Sequence, residues 1–466
     1  MMDDHADHRK GVLLVTTLGS FLTPFMSSSV NVALPAIADE FGLDPILLSW
    51  VGLSFLLSAA VFLVPVGRLG DIHGMKKLFL AGMALYTVAS LGCGLSPSAP
   101  LLIVSRALQG AGGAMLFGTG MPILISVYPP HERGKVLGIN VAAVYVGLSM
   151  GPFVGGIITQ HVGWRALFLW TVPIGLLFLV VAPRWLKGEW AVSRGDRFDA
   201  AGSALYAGAL VALMYGFSLL PAVSGAWLVA GGLAGFWVFF RWELRTAHPV
   251  WNIRVFRGNF PFLFSNASAF INYSATFGVT FLLSLYLQYV RHLNPQDAGT
   301  ILVAQPVVMA LFSPLAGRLS DRIPPRMMAS AGMALTSVAL AFFAFLHEST
   351  PHWQIVAGLI VLGLGFALFS SPNTNAVMSS VEKQHYGIAS ATLGTMRLTG
   401  QMFSLGIVML LFAVMMGPVH IQPGTQHLFL KTVRVAFLSF ALLCAAGVPA
   451  SLARRRARTE AREISV

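Results

Sequence analysis

The chain has 466 residues, of which 56% are hydrophobic and only 10% charged. A soluble protein carries about 25% charged residues, so this chain cannot cover a water-facing surface; a soluble enzyme, a nucleic-acid binder and a disordered protein are excluded as first readings. Its 30 Lys and Arg against 18 Asp and Glu leave a formal charge of +12, and the placement of those charges decides what the excess means.

A transmembrane helix needs about 20 mostly apolar residues, and such windows recur along the whole chain. Residues 11–38 and 45–67 contain no Asp, Glu, Lys or Arg. The stretch 78–130 has one charge, Arg106, and a turn at 96–100, so it reads as two helices. Windows 136–164 and 166–183 follow, and the uncharged stretch 200–240 breaks at 221–224 into two more. The segments 258–290, 298–317, 327–347, 349–381, 384–417 and 435–453 complete the series. The pattern predicts an all-α membrane protein of fourteen helices with short loops. Cys93 and Cys444 fall inside apolar stretches, which speaks against a disulfide scaffold or a metal cluster. No cofactor is expected.

Cytoplasmic loops of membrane proteins are enriched in Lys and Arg. With both termini inside, 24 of the 30 basic residues fall on the inner side; the outer ends hold Arg165, Arg291, Lys431 and Arg434, and Arg106 and Arg397 lie within spans. A miscount by one helix scrambles this division. The basic run Arg454–Arg458 then reads as a stop-transfer and lipid-headgroup anchor rather than a nucleic-acid site. The first helix follows a short acidic tail without a small-residue cleavage site and is expected to be retained.

Two loops resemble each other. Gly67-Arg68-Leu69-Gly70-Asp71-Ile72-His73-Gly74 follows helix 2, and Gly317-Arg318-Leu319-Ser320-Asp321-Arg322 follows helix 10. Such a repeat divides the chain into six-helix halves at 1–184 and 258–466, separated by helices 7 and 8 within 185–257. Parallel repeats of this kind are a recurring transporter plan.

The loop at 67–77 resembles a signature of the major facilitator superfamily. Arg106-Ala107-Leu108-Gln109-Gly110-Ala111-Gly112-Gly113 on helix 4 is similar to the family's R-x-x-Q-G-x-G motif. Gly147-Leu148-Ser149-Met150-Gly151-Pro152-Phe153-Val154-Gly155-Gly156 on helix 5 is similar to the motif marking its exporters. Val30-Asn31-Val32-Ala33-Leu34-Pro35, Trp164-Arg165, Pro173-Ile174-Gly175 and the two additional helices resemble the fourteen-helix drug:proton antiporter group. The resemblance implies the major facilitator fold: two six-helix bundles plus two central helices.

It also implies roles for particular residues. Asp71, with Gly67 and Gly74 allowing a tight turn, is expected to latch a cytoplasmic gate; Asp321 is its counterpart in the second half, where Pro324-Pro325 replace the glycine. Gly147, Gly151 and Gly155 line one face of helix 5, and with Pro152 they are expected to form a close helix contact that seals the inner route. The plainer reading of these features is a capped loop and ordinary small-residue packing. A mid-membrane arginine costs at least about 2.5–3.5 kcal/mol, so Arg106 and Arg397 either find internal partners or face a wet cavity. Gln109 is one turn from Arg106, Tyr145 on helix 5 is a candidate partner, and Gln401 is one turn from Arg397. Further polar lining is offered by Ser27, Ser28, Ser29 and Asn31 on helix 1, Asn266, Asn272 and Tyr273 on helix 9, Gln305 on helix 10, and Asn373 and Asn375 on helix 12, with Phe270, Phe277, Phe366 and Phe369 as an apolar wall.

All 18 acids lie in tails, loops or helix ends. Met26 stands where the group's helix 1 carries an aspartate. A buried carboxylate is the usual proton carrier of such antiporters, and arginine cannot replace it because it stays protonated. Proton coupling would then use an end-of-helix acid such as Asp39, Glu40, Glu132 or Asp199, or a protonatable substrate. The expected function is a secondary transporter and not an enzyme: a multidrug-type exporter of amphipathic small molecules working by alternating access, with the proton a candidate coupling ion. The alternative is an exporter of lipids or of anionic or neutral amphiphiles that lacks an embedded carboxylate. A monomer in the plasma or inner membrane of a prokaryote is expected, with membrane lipids and cargo as its partners and no nucleic acid.

Overall fold

The computed structural model describes residues 2–453 apart from 130–131, 187, 192–194, 252, 257, 321 and 383–385. Asp321 and the basic run from Arg454 therefore lie outside the described residues, as do Lys187, Arg194, Arg257 and Lys383. The described residues contain 14 helices long and apolar enough to cross a membrane, the number the sequence predicts. They are α1 (Arg9–Phe41), α2 (Pro45–His73), α3 (Met75–Gly94), α4 (Ala99–Val127), α5 (Val136–His161), α6 (Trp164–Trp185), α7 (Ala200–Leu219), α8 (Val223–Glu243), α9 (Phe260–Val290), α10 (Pro295–Leu319), α11 (Pro325–Phe343), α12 (His352–Ser379), α13 (Ile388–Met415) and α14 (Gln426–Leu452).

Local chemistry sets the ends and breaks of these helices. Asp44 caps α2, accepting from the Ile46 and Leu47 amides at 2.8 Å each, with Pro45 in the first turn; such a cap contributes about 1 kcal/mol. Gly74, at φ 110°, ends α2 and begins α3, a conformation that favours glycine. Proline interrupts two spans, because it has no amide to donate four residues back. Pro173 leaves the Leu169 carbonyl without its helical donor, and α6 breaks at Trp170. Pro306 does the same to Leu302, and α10 breaks at Val303. In α9 the break is at Phe277; the next amide, Gly278 N, donates to Ser404 Oγ on α13 at 2.8 Å, and the last turn, Tyr286–Val290, is a π-helix.

The chain folds as two compact units, one of residues 1–251 with 293–299, the other of 252–292 with 300–466. The two additional helices, expected as a separate linking segment, pack with the first unit. Tyr206 Oη on α7 donates to the Ala60 carbonyl on α2 at 3.3 Å, and the Tyr215 ring lies 6.3 Å from Trp50.

Within each unit glycines let backbones touch. In the first, a β-carbon on Gly110 of α4 would strike the Phe55 carbonyl of α2, and one on Gly112 would lie 2.7 Å from the Tyr86 amide nitrogen of α3. On α5, Gly147 and Gly155 would meet Phe21 O at 2.6 Å and Ser29 Cβ at 2.8 Å on α1. In the second unit, Gly332 of α11 and Gly365 of α12 face each other's backbones, and Gly400 of α13 lies against Phe270 of α9. Lipid chains are as apolar as leucine, so this proximity, rather than hydrophobicity, holds helices together.

Gly112→Leu is accordingly expected to destabilise the detergent-solubilised protein by about 1–3 kcal/mol or more, seen as an earlier thermal transition. Gly138→Leu, where a new side chain meets nothing within 4 Å, should leave the transition unchanged.

Candidate functional site

In the first unit the polar centre is Arg106, which is only 1% exposed. One helical turn along α4, Gln109 Oε1 accepts from its Nη1 at 2.5 Å. Gln109 Nε2 donates onward to Ser90 Oγ on α3 at 2.8 Å, and Ser90 Oγ to the Tyr86 carbonyl at 2.7 Å. Arg106 Nε donates to the Val51 carbonyl on α2 at 3.1 Å. The guanidinium carbon lies 4.5 Å from the centre of the Phe55 ring and 5.8 Å from that of Phe168 on α6. Among the described residues no carboxylate pairs with it. The charge is met by dipoles and aromatic faces, so one side chain ties together α2, α3, α4 and α6. The partner expected on α5 is not used: Arg106 bonds to Val51 and Gln109, not to Tyr145.

The serines of α1 also depart from expectation. Ser28 Oγ donates to the Pro24 carbonyl at 2.9 Å, and Ser29 Oγ to the Gly151 carbonyl on α5 at 2.9 Å. These serines and the stripe of Gly147, Gly151 and Gly155 are therefore engaged with each other. Met26 is 0% exposed, enclosed in the core of the unit, and Asn31 is buried nearby. A polar pair that sequence reasoning missed joins the same two helices, with Ser20 Oγ donating to Asn140 Oδ1 at 3.1 Å. On its other side, α5 meets the start of α10: Pro152 O crowds Gly299, a β-carbon on Gly156 would be 2.5 Å from Pro295 O, and His161 Nε2 is 3.0 Å from Gln296 Oε1.

The loop joining α2 to α3 is clasped by the segment that follows α6. Glu189 Oε1 accepts from the Lys76 amide at 2.8 Å, and its carboxyl fills the space over Gly74. The Trp190 carbonyl accepts from the Met75 amide at 2.9 Å. Arg68 pairs with Asp196 at 2.7 Å, and His248 Nδ1 is 3.8 Å from the same carboxylate. Asp71 is half-buried and makes no hydrogen bond or ion pair among the described residues, and Gly67 has open space beside it. Glu189 and Asp196 were unremarkable as loop acids; their position opposite exposed amides and Arg68 appears only in three dimensions. Of the end-of-helix acids, Glu40 accepts from Trp164 Nε1 at 2.7 Å and from Arg165 Nη1 at 2.5 Å.

In the second unit Arg397 of α13 is half-buried, and its Nη2 donates to Thr374 Oγ1 on α12 at 2.7 Å. Its guanidinium carbon lies 5.7 Å from the centre of the Tyr273 ring, which stands edge-on to Phe366 at 5.2 Å. Arg397 Nε has no hydrogen-bond partner, and Gln401 takes no part in the bond to Thr374. The structure thus brings Arg397 to Tyr273, Phe366 and Thr374, and not to the Gln401 expected one turn on. Asn272 sits elsewhere, its Nδ2 4.0 Å from Cys444 Sγ on α14 and its Oδ1 unpaired. Gln305 is buried on α10.

The sequence pattern of the Major Facilitator Superfamily matches residues 16–266 and again 265–465. Riboflavin transporter RibZ of Clostridioides difficile (strain 630) is 29% identical over 389 residues, 83% of this chain and 84% of its own length. Multidrug resistance protein Stp of Mycobacterium tuberculosis (strain CDC 1551 / Oshkosh) is 30% identical over 406 residues, 85% of this chain and 74% of its own. Among solved structures, a bacterial homolog to the human lysosomal transporter Spinster has a similar fold, with a TM-score of 0.71 at 15% identity across 97% of this chain and 98% of that one.

The two arginines are expected to separate in a stability measurement. Arg106→Ala leaves a cavity and takes the donor from Gln109 Oε1, lowering unfolding free energy by about 2–5 kcal/mol. Arg397→Ala removes one hydrogen bond of a half-buried group and should cost about 1 kcal/mol. Thermal unfolding of the two variants in one detergent checks the order.

Proposed function

The chain belongs to the major facilitator superfamily and is a membrane transporter, and on that premise we propose that it is a multidrug-type exporter of amphipathic small molecules working by alternating access, with neutral or anionic cargo favoured over cations. The observation that carries the preference is Arg397, a half-buried cation with an unpaired Nε beside Tyr273, Phe366 and Thr374. A guanidinium can bind a carboxylate or sulfonate, while the aromatic rings accept the apolar body of the same molecule. Met26 supports the same reading, since it leaves helix 1 without the carboxylate that attracts a cationic drug. The names of two relatives, a riboflavin transporter and a multidrug resistance protein, fit cargo of this kind.

In this proposal the chain sits in a bacterial inner membrane with both termini in the cytoplasm. Asp71 and the clasped loop around it serve as the cytoplasmic gate, and the α1–α5 contact through Gly147, Gly151 and Gly155 serves as a seal. Arg106 and Gln109 brace the first unit so that it moves as one body. Protons are the proposed driving ion. Export of an anionic amphiphile whose embedded-acid coupling is replaced by another driving force is the second reading, and the buried Met26 is the observation that favours it.

Reconstituted proteoliposomes under imposed pH or sodium gradients test this with riboflavin, an anionic fluorescent amphiphile and a permanently cationic dye. The anion is expected to move, and Arg397→Ala to weaken its transport roughly 10–100-fold, the worth of a charge-assisted contact. Proton-driven efflux of the cationic dye, unaffected in Arg397→Ala, would sink the proposed preference.

A further inference from the structure

One carboxyl group in the first unit is buried without any role in the site described above. Glu243, the last residue of α8, is 0% exposed. Its Oε2 accepts from the Trp251 amide at 3.1 Å, while its Oε1 has no hydrogen-bond partner. Oε1 points over Gly202 of α7, where a β-carbon would lie 2.8 Å away. Asp199 Oδ2 crowds that same point more closely still.

Asp199 is held differently. It caps α7, its Oδ1 accepting from the Gly202 amide at 2.9 Å and its Oδ2 from Trp242 Nε1 at 2.9 Å. Both of its oxygens thus have an N–H donor, one from the first turn of α7 and one from α8. Glu243 is held by backbone amides alone, Trp251 on Oε2 with Val250 beside it, while Oε1 faces a second acceptor. Among the described residues no Lys, Arg or His pairs with either carboxylate. The charged groups nearby are engaged or exposed: Asp196 with Arg68 and His248, Arg241 against the Trp237 ring at 4.9 Å, and Arg245 exposed on the turn that follows α8.

A buried carboxylate oxygen that converges with a second acceptor on one point is best met by a donor between them. We propose that Glu243 and Asp199 form a proton-binding site, in which Glu243 Oε1 carries the proton and the ionised Asp199 is the charge that retains it. The ligand is a proton, and the two carboxylates stand at the start of α7 and the end of α8, the two additional helices. It does not depend on the cargo site or on the charge of the cargo. Protonated, Glu243 keeps the end of α8 against the start of α7 and still receives the Trp251 amide. Ionised, it confronts Asp199 with nothing between.

pH-difference infrared spectroscopy of the full chain in detergent tests this. The wild type should show the carbonyl-stretch band of a protonated carboxylic acid, lost as pH rises. Glu243→Gln should lack that band. Asp199→Asn, which keeps a capping oxygen for Gly202, should retain the band but lose it at a pH lower by roughly one unit, because the neighbouring negative charge is gone. Absence of the band in the wild type overturns the proposal, as does its survival in Glu243→Gln or an unmoved midpoint in Asp199→Asn. A carboxylate band that responds to sodium, with no acid band at any pH, also overturns it, since the pair would then hold a metal cation. If Glu243→Gln fails to fold, the shift in Asp199→Asn still decides.

Discussion

Close backbone contact is what the rest of this molecule depends on. A helix surrounded by hydrocarbon gains nothing by merely being apolar, so association rests on how near two backbones come. Gly110 lies against the Phe55 carbonyl, Gly112 against Tyr86, and Gly147 against Phe21. The second unit repeats the device at Gly332, Gly365 and Gly400. Each contact leaves no space for a methyl group, so the helices have one register each. The polar side chains then act at positions already fixed. Gln109 reaches Ser90 only because Gly112, one turn on, lets α4 lie directly on α3.

Against that background the two intramembrane arginines do different things. Arg106 is enclosed, and each neighbour supplies a carbonyl, an amide or an aromatic face. Arg397 keeps an unpaired nitrogen beside an aromatic pair. An enclosed charge stiffens the element that carries it; a partly satisfied one retains capacity for a ligand. The same distinction separates the acids. Glu40, Glu189 and Asp196 are each matched by donors or cations, whereas Glu243 has an oxygen with no match.

The fourteen spans were legible because hydrocarbon imposes length and charge constraints that act on the sequence directly. The pair Arg106 and Gln109 was legible too, since one helical turn brings them together whatever the rest of the chain does. What escaped reading depends on contacts between distant segments. Thr374 and Arg397 are 23 residues apart on different helices, and no periodicity links them. Ser28 reads as a cavity polar group, yet a serine in a helix can satisfy itself on the carbonyl four residues back, as it does on Pro24. Glu243 reads as an ordinary helix-end acid; its burial arises from the return of the chain at Trp251 and from the helix beside it.

The enclosure of Arg106 also bears on how the protein is made. Outside its own helix this guanidinium meets Val51 and Phe55 of α2, which precedes α4 in the chain, and Phe168 of α6; Ser90 of α3, also earlier in the chain, receives its partner Gln109. When α4 leaves the insertion machinery, the carbonyl of Val51, the ring of Phe55 and the Ser90 hydroxyl are already in the bilayer. The charge can pass from its hydrated state to its partners without a period alone in lipid. Synthesis from the N-terminus thereby presents α2 and α3 before the charge and the amide they receive.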